Sequence, residues 1–284
     1  MQELKENIYI EDKYPGVTLG AINTPRGLIY IDAPPLPEDG RFWRADLLGL
    51  DSGPERLLIN LDSNADRTLG ARAMDCTVLA HENTAKFFRS RPSAFKTQGQ
   101  TTGAEWEIIP GLSNIRWALP NLSFTDQVTL HWGDTPIHLE HHHGADIGAI
   151  WVILPVEKIV FVGDTILKNQ PPFLAQANLP AWIEELETLL SEEYKGYMVV
   201  SGRGGVCASS TLKKQLSSLK KTHTKMEQLA ARQVDPDATE KIIPSLLSPL
   251  RFLAANRERY AQRLRHGLAQ YYTRHYIPED ADND

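Results

Sequence analysis

From the amino terminus to Gly202, short apolar runs alternate with turn residues. NIYIED, VTLGAI and GLIYIDAP are rich in Ile, Val and Tyr, with Pro15-Gly16 and Pro25-Arg26-Gly27 between them, so each reads as a strand. Pro37 to Gly53 carries Trp43, Leu47, Leu48 and Leu50 at helical spacing, and RLLIN (56–60) is again a strand. DSNADRTLGARAM (62–74) reads as a loop entering a helix, CTVLAH (76–81) as a strand and Glu82 to Arg89 as a short helix. The stretch from Pro92 to Gly111 is polar and predicts a long excursion. VTLHWG (128–133), TPIHLEHHH (135–143), AIWVILP and KIVFVGD (158–164) are strands, with Val156-Glu157 as a hairpin turn. PAWIEELETLLSEEY sets Trp182, Leu186 and Leu189 or Leu190 on one helical face, and YMVVSG (197–202) is a further strand.

Beyond Ser209 the period becomes helical, with Leu212, Leu216, Leu219 and Met226 in steps of three, four and seven. VDPDATEK interrupts it, and Asp235 or Asp237 suits an N-cap. Pro244 and Pro249 fragment the next segment. Arg251 to Tyr276 then reads as a basic amphipathic helix. Its apolar side is Tyr260, Leu264, Leu268, Tyr271 and Tyr272, and its solvated face is Arg251, Arg257, Arg259, Arg263, Arg265 and Arg274. The tail PEDADND reads as disordered. The order predicts a layered α/β domain over residues 1–234 and a helical extension over 235–284 packed on it. That extension is also the expected surface for a homo-oligomer.

Composition sharpens this only slightly. With 42% hydrophobic and 23% charged residues over 284, the chain matches an ordinary globular protein. Thirty basic against 36 acidic residues give a net charge of −6, which offers no general attraction to nucleic acid or an anionic membrane. The longest apolar run, Ala149 to Val156, falls far short of the ~20 residues of a membrane helix. Cys76 and Cys207 form no CxxC pair, and a reducing cytoplasm fits their scarcity. Neither a GxSxG elbow nor a Walker sequence is present.

Four polar segments follow strands: DSNADRTLG after RLLIN, EHHHGAD before AIWVILP, GD after KIVFV, and SGRGG after YMVV. Chemistry gathers where loops leave the carboxyl ends of strands. The order and spacing of these segments, with IYIDAP upstream, resemble the metallo-β-lactamase superfamily over roughly residues 7 to 220. The resemblance implies a four-layered αββα sandwich, here with extra C-terminal helices. It also implies a hydrolytic site in which two zinc ions, held by imidazoles and carboxylates, lower the pKa of a bridging water.

At the implied ligand positions this sequence departs from the family. In its HxHxDH motif the two leading histidines fall on Asp62 and Asn64, the aspartate is kept as Asp66, and the last histidine is Arg67. The third-segment histidine falls on Ala145, the bridging aspartate is kept as Asp164, and the GHG histidine is Arg203. Arginine stays protonated and has no lone pair to give a metal. The first expectation is therefore a metal-free, hydrolytically silent or ligand-binding protein. In it, Arg67 and Arg203 replace the metal charge beside Asp62, Asp66 and Asp164, and a small molecule is the natural ligand for the old pocket. The alternative is a thioester, lactone or phosphoester hydrolase. It would hold a single Zn, Mn or Mg ion between Asp66, Asp164 and the His141-His142-His143 run, with His142 and His143 as the imidazole donors. The bland reading of that run is a set of structural histidines at a strand end. Likewise Ser201-Gly202-Arg203-Gly204-Gly205 either cradles an anion or simply turns the chain.

Overall fold

The computed structural model describes residues 1–97 and 101–277, so the tail Pro278–Asp284 lies outside the described residues. Two sheets face each other. The first has seven strands in sequential order: β1 (Gln2–Lys5), β2 (Ile8–Glu11), β3 (Leu19–Asn23), β4 (Gly27–Ile31), β5 (Glu55–Ile59), β6 (Thr77–His81) and β7 (Leu122–Phe124). β1 to β4 pair antiparallel, and β4 to β7 pair parallel. The second sheet is a six-stranded run of β8 (Gln127–Leu130), β9 (Ile137–His141), β10 (Ile150–Leu154), β11 (Ile159–Phe161), β12 (Met198–Ser201) and β13 (Gly205–Cys207). Only β11 and β12 pair parallel in it.

Strand alternation sorts the side chains into layers. In β4, Ile29 and Ile31 meet Leu57, Ile59, Ile150, Val152 and Phe161 between the sheets. Leu28 and Tyr30 face outward onto Trp43 and Leu47 of α1 (Pro37–Leu47). β10 divides likewise: Ile150, Val152 and Leu154 point between the sheets, and Trp151 and Ile153 point to the helices. Burial on both faces explains why these strands read as continuous apolar runs.

The outer face of the second sheet carries α4 (Leu179–Leu189), α5 (Ser209–Ala230), α6 (Ile243–Leu247) and α7 (Arg257–Tyr276). Together these make the expected αββα sandwich with extra C-terminal helices. Between β5 and β6 lie α2 (Ala65–Thr68) and a 3-10 segment (Leu69–Met74), and α3 (Glu82–Arg89) follows β6. No helix among the described residues is long and apolar enough to cross a membrane.

Three local expectations change. The C-terminal helix starts at Arg257 rather than Arg251, because Leu253 is extended (ψ 138) and only a 3-10 turn follows it. SGRGG continues into a short edge strand, β13, and the Gly204 and Gly205 amides donate to Thr18 Oγ1, each at 3.0 Å. Those donors serve the turn and not an anion. The polar excursion also carries a 3-10 turn (Glu105–Ile108) whose buried Glu105 and Trp106 amide dock over the sheet ends.

Tyr260, Leu264, Leu268, Tyr271 and Tyr272 of α7 share one buried cluster with Trp182, Leu186 and Trp151. Replacing Leu268, fully buried there, with Ala is expected to cost about 2–5 kcal/mol in urea unfolding, within a single transition. A loss below about 1 kcal/mol, or a separate transition for α7, would mean that the helix is not part of the core.

Candidate functional site

The carboxyl ends of four strands converge. Asp32 follows β4, Asp62 to Arg67 follow β5, Asp164 follows β11 and Arg203 follows β12. The sites marked in the sequence at Asp62, Asn64, Asp66, Arg67, Asp164 and Arg203 therefore meet in one cluster. Ala145 does not join it; its methyl lies in the helix-side core. Its neighbour Asp146 accepts from Ser63 Oγ at 3.3 Å and from the Gly148 amide at 2.8 Å.

Two guanidiniums hold the acids together. Arg67 lies within the single-turn α2, with no exposed surface. Its Nη1 is 3.3 Å from Asp32 and 3.4 Å from Asp62, and its Nη2 donates to Asp164 Oδ1. Arg203 donates through Nε to both oxygens of Asp164, at 3.0 and 3.1 Å. Its Nη1 reaches Asp66 Oδ2 at 2.7 Å and Glu105 Oε2 at 2.6 Å. Asn64 Nδ2 completes Asp164 at 3.0 Å, and the Trp106 amide completes Asp66 at 2.6 Å. Gly202 makes the Arg67 position accessible: a Cβ there would sit 2.5 Å from Arg67 Nη1.

Glu105 extends the network to the C-terminal helix. Arg263 of α7 donates to Glu105 Oε1 at 2.6 Å and to the Gly103 carbonyl at 3.0 Å, and Arg259 stands 3.8 Å from the same carboxylate. Phe173 lies under two guanidiniums, 4.6 Å from that of Arg203 and 3.9 Å from that of Arg263. Arg263 is only 1% exposed, so it corrects the expectation that places it on a solvated face. It falls three residues after Tyr260 and four before Gly267, on the buried stripe of the helix, and the carboxylate of Glu105 supplies its partner.

The histidine run is not gathered with Asp66 and Asp164. His141 stacks on His81 at 3.7 Å, with Nε2 2.9 Å from the Ile147 carbonyl. His142 stacks on Trp151 at 3.5 Å and lies 3.6 Å from Glu140 and 3.9 Å from Glu185. His143 is exposed and tilts against His141. His81 caps α3, accepting the Asn83 amide on Nδ1 at 3.1 Å.

Burial and neighbouring cations pull the carboxyls apart in acidity. Burial opposes ionisation of Asp164, but Arg203 and Arg67 together overcome it and lower its pKa. Glu105 is lowered in the same way by Arg203 and Arg263. At Asp66 burial outweighs the pull of Arg203, and the pKa rises. Asp62, where burial outweighs Arg67 and other acids crowd in, is pushed up to about 8, and Asp32 to about 6. Burial thus favours the protonated form at Asp62. The guanidiniums of Arg67 and Arg203 are held charged, because the acids around them outweigh the burial that opposes their charge.

Among solved structures the chain is similar to a metallo-β-lactamase from Pontibacter korlensis (TM-score 0.61, 18% identity, 77% of this chain and 97% of that one). It is also similar to metallo-β-lactamase IND-7 (TM-score 0.60, 14% identity, 78% of this chain and 96% of that one). The chain has the metallo-β-lactamase fold. The stereoselective inverting sec-alkylsulfatase Pisa1 from Pseudomonas sp. aligns with 99% of this chain (TM-score 0.61, 13% identity), and the chain spans 50% of that protein's length. No protein-family model matches the sequence, and no curated protein matches it significantly.

In the metallo-β-lactamase fold as the resemblance describes it, these strand ends supply imidazole and carboxylate donors to zinc. The residues present here do not fit that role. Zinc needs lone-pair donors at about 2.0–2.3 Å in a tetrahedral set, and a guanidinium offers only N–H groups. The oxygens of Asp66 and Asp164 that would face a metal face Arg203 instead. Among the described residues no group of three His, Cys, Asp or Glu side chains is arranged to hold an ion. Asp66 is 0%, Asp62 1% and Asp164 4% exposed, which leaves a substrate no open surface at these atoms.

Breaking one partner of a buried ion pair is expensive because the other charge is left stranded, at about 3–5 kcal/mol. Arg203→Ala is expected to lose about that much, and adding Asp164→Asn should recover part of it, with a coupling above about 1 kcal/mol in urea unfolding. Additive losses would mean that the two residues do not interact.

Acidity gives a second check. A carboxyl whose pKa is raised in the fold keeps a proton that the unfolded chain has released. Its contribution is full below the ordinary carboxylate range and is lost as pH climbs through its folded pKa. Asp62 and Glu185, the latter also raised by burial to about 8, should therefore make the urea midpoint fall between neutral pH and pH ~9. Asp164 and Glu105 act oppositely, and their contribution is lost on acidification. Asp62→Asn should flatten the alkaline fall; an unchanged slope would show that Asp62 is not the group responsible.

Proposed function

We propose that this chain is a hydrolytically silent protein of the metallo-β-lactamase fold, whose former catalytic centre is now a buried ion-pair network and no longer a reaction site. The observation that carries this reading is the position of the Arg203 guanidinium. It lies between Asp164 and Asp66, bonded to both, with 1% of its surface exposed. The two acidic positions that the resemblance marks as ligands are retained, but their charge is met by fixed cations. Neutralised in this way, they tie the C-terminal helix to the sheet ends through Glu105 and Arg263.

The same geometry speaks against a small molecule in the old pocket, because closing side chains from Glu105, Phe173 and Arg263 fill it. It also leaves little of the apolar stripe of α7 for a homo-oligomer, since that stripe lies within the chain's own core. The two cysteines are free, one half-buried and one buried. The metal-dependent alternative requires His142 to leave Trp151 and both arginines to leave their acids.

Protein purified without chelator should contain metal at a ratio near zero per chain by elemental analysis. It should leave generic ester, thioester, lactone and phosphoester substrates at background, and gain no thermal stability from Zn²⁺, Mn²⁺ or Mg²⁺. Metal near one per chain, together with turnover that Asp164→Asn abolishes, would replace this reading with the hydrolase.

A further inference from the structure

A second region stands apart from the arginine-filled centre. A cavity of about 680 Å³ opens near the amino ends of β6 and β7, the opposite end of those strands from the site described above. Four arginines line it: Arg72 from the 3-10 segment, Arg89 from the end of α3, Arg91 just beyond, and Arg116, which bridges Ala94. One acid, Asp75, shares the lining, and it faces Arg44 at 3.7 Å. Half-exposed Leu119 supplies an apolar side chain, and the edges of the buried Phe88, Trp117 and Val78 line the floor.

The charge here opposes that of the molecule. The chain as a whole carries −6, yet this cavity gathers four cations against one acid. All four are exposed at the rim, unlike the buried Arg67, Arg203 and Arg263, which carboxylates match. Among the described residues Arg72, Arg91 and Arg116 make no ion pair, and Arg89 has only Glu82 at 3.5 Å. Arg91 instead lies over the Phe87 ring at 4.6 Å, which fixes its direction. Like charges held together in a concave surface repel one another and raise the local concentration of anions.

We propose that this cavity is a binding site for a phosphorylated small molecule of nucleotide size. Guanidinium forks match phosphate oxygens two at a time, and four of them suit a ligand with two or more phosphate groups. The volume lies within the range of small-molecule sites, about 300–1,000 Å³. Leu119 and the apolar floor give the non-phosphate part of such a ligand a surface that a bare phosphate chain would leave uncovered. The site is separate from the arginine-filled centre, and its existence does not depend on whether that centre is silent.

The test is titration calorimetry of the full chain with ADP, pyrophosphate, adenosine and a short single-stranded oligonucleotide. Three proteins are compared: wild type, Arg72→Gln/Arg116→Gln, and Lys213→Gln/Lys214→Gln. The last pair removes the same charge from an exposed stretch of α5. ADP should bind wild type more tightly than pyrophosphate, and adenosine should not bind measurably. The arginine double variant should weaken ADP about tenfold or more, with an unchanged melting temperature, and the lysine double variant should leave it unchanged. Failure of wild type to bind ADP or pyrophosphate would overturn the proposal, as would equal losses in the two variants. Tighter binding of the oligonucleotide than of ADP would overturn it in favour of a nucleic-acid surface.

Discussion

A charged guanidinium removed from water is costly unless acceptors, carboxylates above all, meet its N–H groups. Arg203 is met by three. Its Nε rests on Asp164, and its Nη1 is shared between Asp66 and Glu105. Asp164 in turn binds Arg67, and Glu105 binds Arg263. The result is an alternating chain of charge, Arg67, Asp164, Arg203, Glu105, Arg263, running from the first sheet through the second to the last helix. A buried ion pair gives little net stability over an apolar contact, but removal of one member strands the other, so the links hold one another in place.

This explains why a helix so distant in sequence belongs to the same unit as the sheet ends. The apolar face of α7 provides the area that is removed from water. Arg263 provides the register, because its guanidinium meets Glu105 only when the helix lies in one position. Phe173, between the two guanidiniums, excludes water and so strengthens the charges beside it. Where a hydrolase of this fold needs an open cleft, this molecule has a closed joint between layers.

Much of this was legible in the sequence, and the part that was not has a physical cause. Strand runs such as GLIYI and IWVIL announce doubly covered strands, because both of their faces are apolar. Asp62, Asn64, Asp66, Arg67, Asp164 and Arg203 could be grouped because strand ends in this layout bring their loops together. Glu105 could not be grouped, since nothing local distinguishes it from Glu107 in a polar stretch; only tertiary docking gives it a partner 98 residues away. Arg263 had a readable signal, its place on the apolar stripe, but helical charge patterning favours a solvated face unless a buried acid is known. His142 offers the converse case. Its residue type suggested a ligand, yet stacking on Trp151 and burial, which lowers its pKa, make it a neutral packing element.

The central claim is that permanent cations stand where the fold's hydrolases would place divalent ions. Anomalous diffraction at the zinc edge, from crystals grown with excess Zn²⁺, tests it most directly. The account predicts no peak between Asp66 and Asp164, with continuous density for the Arg203 guanidinium bridging them. A peak bonded to either carboxylate, with Arg203 or Arg67 turned away, would contradict it.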